Sequence, residues 1–160
     1  MLPRRLSAMR TACAAACLTV AGMAAAAEPA APRVEFIQSE GARAAGLPFS
    51  EAVQVGGLLL LSGQVGYDRA AGKLVEGGLE PETRMTMDNI KALLATRGLG
   101  MDDLVKCTVM LADMADWPAF NAVYRTYFEN ARFPARSAFG TNGLAFGARV
   151  EVECIAAVGG

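Results

Sequence analysis

Residues 50–62 read SEAVQVGGLLLLS. Ser50–Val55 has the alternation of a strand, Gly56-Gly57 supplies a two-residue turn, and Leu58–Ser62 returns as a second arm, so the stretch predicts a β-hairpin. The second arm is apolar at Leu58, Leu59, Leu60 and Leu61 alike, which is the pattern of a strand covered on both faces. One cover can come from helices of the same chain. The other calls for a further layer, and that demand shapes the rest of the reading.

Working outward, Arg33–Gln38 reads as a first strand, and Gly66–Gly78, with four glycines, as a loop. Pro81–Arg97 is a helix: Pro81 suits the opening turn, Gly98 suits a left-handed stop, and Met87, Ile90, Leu93 and Leu94 share one face. Leu104–Leu111, rich in β-branched residues, is a strand. Asp116 is expected to cap a second helix that tolerates Pro118 in its first turn. The stripe Phe120, Val123, Tyr124, Tyr127 and Phe128 packs that helix on a sheet. Pro134–Phe139 and Arg149–Val158 are the last strands, joined by the glycine-rich loop Gly140–Gly147. The sum is an α+β fold, a six-stranded mixed sheet with two helices packed on one face. The uncovered face then predicts an oligomer.

The N-terminus is read as processing signal rather than fold. Arg4, Arg5 and Arg10 precede an uncharged, alanine-rich run that ends in Ala25-Ala26-Ala27 before Glu28. This is the pattern of a cleaved secretion signal over residues 1–27, too short and too weakly apolar for stable membrane association. Residues 28–160 form the expected single domain, opening on a Pro/Ala tether, in the periplasm or outside the cell. Cleavage after Ala27 leaves 133 residues and moves the net charge from −1 to −4. A mildly acidic chain lacks the electrostatic footprint of a nucleic-acid binder.

Histidine is absent, which disfavours zinc chemistry and Ser-His or Cys-His catalysis. No metal or cofactor is expected. Cys13 and Cys17 leave with the signal. Cys107 and Cys154 lie in the apolar runs 105–111 and 150–158 and are read as free thiols acting as small core hydrophobes, with pairing in an oxidising compartment as the alternative.

Few polar residues remain inside strand-like segments. Arg136 stands near the start of one, and Glu151 and Glu153 point to one side of another, because strand side chains alternate. A guanidinium binds a carboxylate bidentately. A nearby glutamate can orient or deprotonate a water that attacks an adjacent electrophilic carbon.

Seven blocks carry a family resemblance. They are Pro48–Val53, Leu61–Val65, Thr83–Ile90, Val105–Val109, Phe120–Tyr124, Pro134-Ala135-Arg136-Ser137 and Val150–Glu153. In this order they resemble the RidA (YjgF) family of small deaminases. The resemblance implies a chorismate-mutase-like fold and a homotrimer with clefts between subunits. It implies hydrolysis of enamines and 2-imino acids to 2-keto acids and ammonia without a cofactor. Arg136 would hold the substrate carboxylate and Glu151 position the hydrolytic water, with Phe49, Gly63, Asn121 and Ala138 as further ligand contacts. Phe49 and Ala138 stand where many family members have tyrosine and cysteine, which implies a shifted substrate preference. The alternative is the same trimer as a non-catalytic module that binds small carboxylates such as 2-keto acids.

Overall fold

The Gly-Gly hairpin forms as expected and starts the sheet. The structure, a computed structural model, describes residues 33–159; the expected signal segment, its cleavage position and the tether to residue 32 lie outside them. In chain order the elements are β1 (Val34–Ile37), α1 (Glu40–Ala44), β2 (Ala52–Val55), β3 (Leu58–Val65), β4 (Tyr67–Asp68), β5 (Lys73–Leu74), α2 (Leu79–Ala95), β6 (Leu104–Leu111), α3 (Trp117–Tyr124), β7 (Ala135–Gly140) and β8 (Val150–Ala157). Six strands make one sheet in the order β1-β2-β3-β8-β6-β7, and β4-β5 is a separate small hairpin. Only β6 and β7 run parallel, since α3 carries the chain between them; every other pairing in the large sheet is antiparallel. The mixed α+β sheet with two long helices on one face is therefore observed.

Differences from expectation are local. α2 begins two residues early, with Pro81 in its first turn, and ends before Gly98 at φ 71°. The five-residue α1, capped by Ser39, and the β4-β5 hairpin are too short for periodicity to reveal. Asp116 does not cap α3 with its side chain; its carboxylate binds Arg149 at 2.7 Å, and Asp113 caps the preceding turn instead. α3 stops at Tyr124, and the aromatic stripe continues through 3-10 turns to the buried Phe128.

Helices cover the centre of one sheet face. Leu59 and Leu61 of β3, Cys107, Val109 and Leu111 of β6, and Val150, Val152, Cys154 and Ala156 of β8 pack with Met87, Ile90, Leu94, Phe120 and Tyr124. The buried Glu82 fixes where β8 starts, because its Oε1 accepts the backbone N–H groups of Arg149 at 2.6 Å and Val150 at 3.3 Å. A buried carboxylate needs such donors. Cys107 and Cys154 are register partners across β6 and β8, 4.1 Å apart at Cα, and form a disulfide. This corrects the expectation of free thiols. The cause is a strand register between residues far apart in sequence, which local composition does not encode.

The other face has no cover in a single chain. Two register rows cross it, Val34–Val55–Leu58–Ala157 and Phe36–Val53–Leu60–Ile155. Phe36, Leu58 and Leu60 in these rows are 73%, 43% and 39% exposed, an apolar patch of the kind that marks an interface. Lys106, Thr108, Glu153 and Glu151 continue the same face toward β6 and β8. Among the described residues, no helix is long and apolar enough to cross a membrane.

Candidate functional site

Arg136 sits on the edge strand β7 at the end of a helix-side row, Leu61–Cys154–Cys107–Arg136. Its side chain therefore turns toward α3 rather than to the bare face. Trp117, Asn121 and Tyr124 follow one another at helical spacing on α3, which puts all three on the side that meets it. The guanidinium carbon lies 4.6 Å from the Trp117 ring centre, 4.4 Å from Tyr124 and 5.8 Å from Phe120. Its Nη2 donates to Asn121 Oδ1 at 2.7 Å. Aromatic faces attract the cation, by about 0.5–2 kcal/mol per good contact.

Two polar atoms in this cradle are buried without a partner: Arg136 Nη1 and the Tyr124 hydroxyl. Burial raises the Tyr124 hydroxyl pKa to about 12, partly offset by the Arg136 charge, so this hydroxyl keeps its proton and is a donor. A pocket of about 250 Å³ opens here, lined by Asn121, Tyr124, Arg125, Phe133 and Arg136. Ala138, two residues along β7 and so on the same face, packs against the core beside it.

Glu151 belongs to the opposite face. It registers with Val65 and Met110, while Arg136 registers with Cys107. Within one chain the sheet separates the two side chains. Gly63 is instead the neighbour of Glu151. A bulge in the β3–β8 pairing between Leu61 and Gln64 brings Gly63 so near that a Cβ there would overlap the Glu151 carboxylate. Bulges commonly re-aim side chains next to active sites. Burial, and then the Glu153 charge, raise the Glu151 pKa above its ordinary 4.5. Among the described residues no side-chain donor binds the Glu151 carboxylate. Phe49, half exposed, stands in the segment before β2.

Five of the six expected site residues thus fall into two groups in one chain, Arg136 with Asn121 and Ala138, and Glu151 with Gly63, and Phe49 joins neither. Sequence reasoning assigned Tyr124 to the core and passed over Trp117 and Arg125. The available signal was the spacing of Trp117, Asn121 and Tyr124 on the helix just before Arg136.

Gly63→Ala tests the second group. The added methyl must displace the carboxylate, at a stability cost of about 1–3 kcal/mol. Any activity that depends on Glu151 falls at least about 10-fold, since misplacing a group by an ångström is enough for that. Gly57→Ala, whose Cβ meets nothing closer than a carbonyl at 3.6 Å, is the control. Equal melting temperatures and equal rates in the two variants would remove the role given to this contact.

The family described as Endoribonuclease L-PSP matches residues 40–158. The chain is similar to a mouse (Mus musculus) protein named 2-iminobutanoate/2-iminopropanoate deaminase, at 43% identity over 112 residues, covering 70% of this chain and 82% of the relative. It also resembles the crystal structure of the Escherichia coli YjgF gene product, with TM-score 0.70 and 34% identity, covering 77% of this chain and 98% of that one. Escherichia coli TdcF, solved with bound serine, aligns with TM-score 0.66 and 27% identity over 70% of this chain and 89% of its own.

Proposed function

Because the chain belongs to the RidA (YjgF) family, we propose that it hydrolyses 2-imino acids and their enamine tautomers to 2-keto acids and ammonia, with Arg136 as the carboxylate anchor. The observation that carries this reading is the Arg136 cradle: one edge of the guanidinium is tied to Asn121, and Nη1 is buried without a partner. A carboxylate would satisfy that donor, and charge-assisted bonds of this kind are the strong ones. The names of the deaminase relatives and the serine bound by TdcF support a small amino-acid-like ligand.

In the proposed reaction, water oriented by the ionised Glu151 carboxylate adds to C2 of the imine. The former imine nitrogen takes up protons, the tetrahedral adduct collapses to the C2 carbonyl, and ammonia leaves. Arg136 and Glu151 lie on opposite faces in one chain, so the complete site is proposed to form between subunits, Arg136 from one and Glu151 from the next. The apolar rows on the bare sheet face supply the reason to associate, and the family points to a homotrimer. Residues 1–27 are proposed to direct export to the periplasm or beyond. RNA cleavage, raised by the family's description, finds neither a histidine nor a basic balance in this chain.

The test is hydrolysis of 2-iminopropanoate generated in place by an amino-acid oxidase, with a trap competing for the imine. The protein is expected to accelerate ammonia release, with an acid limb of kcat/KM above pH 4.5, because the working form of Glu151 is the anion and its pKa is raised. Ammonia release at the uncatalysed rate, with saturable pyruvate binding, favours the non-catalytic module. Neither turnover nor binding removes both readings.

A further inference from the structure

Arg125 lines the same pocket as Arg136, and among the described residues of the one chain no acidic side chain lines it. The residue opens the 3-10 turn that follows α3, and its Nε donates to the Asn121 carbonyl at 3.2 Å. That bond fixes the base of the side chain and leaves its terminal nitrogens free. Among the described residues Arg125 enters no ion pair, whereas Arg84 and Arg149 each meet a carboxylate within 3.0 Å. Asn121 thus holds both cations, Arg136 through its side chain and Arg125 through its backbone carbonyl.

Two guanidinium groups lining one pocket repel each other, and an anion bound there relieves the repulsion. A single carboxylate bound at Arg136 leaves Arg125 without an answer. A ligand with a second carboxylate a few carbons away engages both. Phe133, half exposed on the pocket wall, offers an apolar surface to the methylene stem between the two charged ends.

We propose that this pocket selects a 2-imino dicarboxylate, with Arg136 on the carboxylate next to the imine and Arg125, the specificity-determining residue, on the distal one. The inference rests on the imine-hydrolase reading and deepens it. The chemistry is unchanged: the C=N bond takes up water, and a 2-keto dicarboxylate and ammonia result.

The experiment compares kcat/KM for 2-iminoglutarate and 2-iminopropanoate, each generated in place by an amino-acid oxidase, alongside competition by 2-oxoglutarate and pyruvate. At low ionic strength the wild type is expected to favour the diacid about 3- to 5-fold, the size of one solvent-facing ion pair. About 0.5 M salt shrinks that preference, because the distal contact is exposed to screening. Arg125→Gln brings the ratio to about one, and Arg125→Glu inverts it through like-charge repulsion. Because Arg125 is exposed, both variants keep the fold. A wild type that hydrolyses both imines equally well, or an Arg125→Gln ratio unchanged from wild type, overturns the inference while the imine-hydrolase reading stands. A wild type that turns over neither imine and binds neither keto acid removes that reading and this inference with it.

Discussion

Arg136→Lys is expected to lower kcat/KM for a 2-imino acid by about 100- to 1000-fold, a loss of roughly 3–4 kcal/mol, the low end of two charge-assisted bonds because lysine still offers one charged donor. Lysine keeps the positive charge, so a purely electrostatic anchor would survive the change. What it lacks is the planar fork. It cannot lie flat against Trp117 and Tyr124, donate to Asn121 and still present a second parallel pair of N–H groups. The loss falls mainly on KM, because the carboxylate keeps its charge throughout the reaction and is held about equally in the ground and transition states. Stability should move little. The variant loses cation–π contacts with the α3 rings but also removes the buried, unpartnered Nη1. Steady-state kinetics with thermal melting checks both statements. A lysine variant within about threefold of wild type in kcat/KM would be too small an effect for a bidentate anchor and would remove Arg136 from that role.

How legible this was in the sequence differs element by element. α2 could be read because Met87, Ile90 and Leu94 recur with helical period and Pro81 and Gly98 mark its ends. β6 could be read because eight strand-forming residues run from Leu104 to Leu111. The need for a second cover on the sheet was visible in Leu58–Leu61, since Leu59 and Leu61 meet the helices while Leu58 and Leu60 face away. What local pattern could not supply was register between distant strands. Register makes Cys107 the neighbour of both Arg136 and Cys154, and it places Glu151 on the far face from Arg136. The bulge at Gly63 is hidden for the same reason: local pattern carries the strand only to Ser62, and only the pairing with β8 shows that it continues to Val65 with an extra residue. Tyr124 carries a different lesson. Its place in a buried stripe is real, at 3% exposure, yet its hydroxyl and ring also belong to the Arg136 cradle, so core and site overlap in one side chain.

Removing the Cys107–Cys154 bridge is expected to cost about 4 kcal/mol by chain entropy for a loop of this length, an apparent fall in Tm of roughly 15 °C for a domain of this size. The bond closes a separation of 47 residues, spanning α3 and β7, so the unfolded chain gains much freedom when it opens. Both sulfurs are buried, with the cysteines 0% and 2% exposed. Reductant therefore acts slowly on the folded protein, and the comparison is best made with the Cys107→Ala/Cys154→Ala double variant. The site should feel the change as well. β6 lies between β7, which carries Arg136, and β8, which carries Glu151, so loosening β6 against β8 relaxes the strands from which each subunit supplies Arg136 to one proposed cleft and Glu151 to another. The fall in activity should accordingly begin at a lower temperature in the variant than in wild type. Alkylation of denatured, unreduced protein counts the free thiols. Material that has matured in an oxidising compartment, where such bonds persist, is expected to show none at Cys107 and Cys154. Two alkylated cysteines in that material, or a double variant that melts with wild type, would contradict the bridge. Protein retained in the cytoplasm with both thiols reduced should melt with the double variant, which separates the effect of the bond from that of the substitutions.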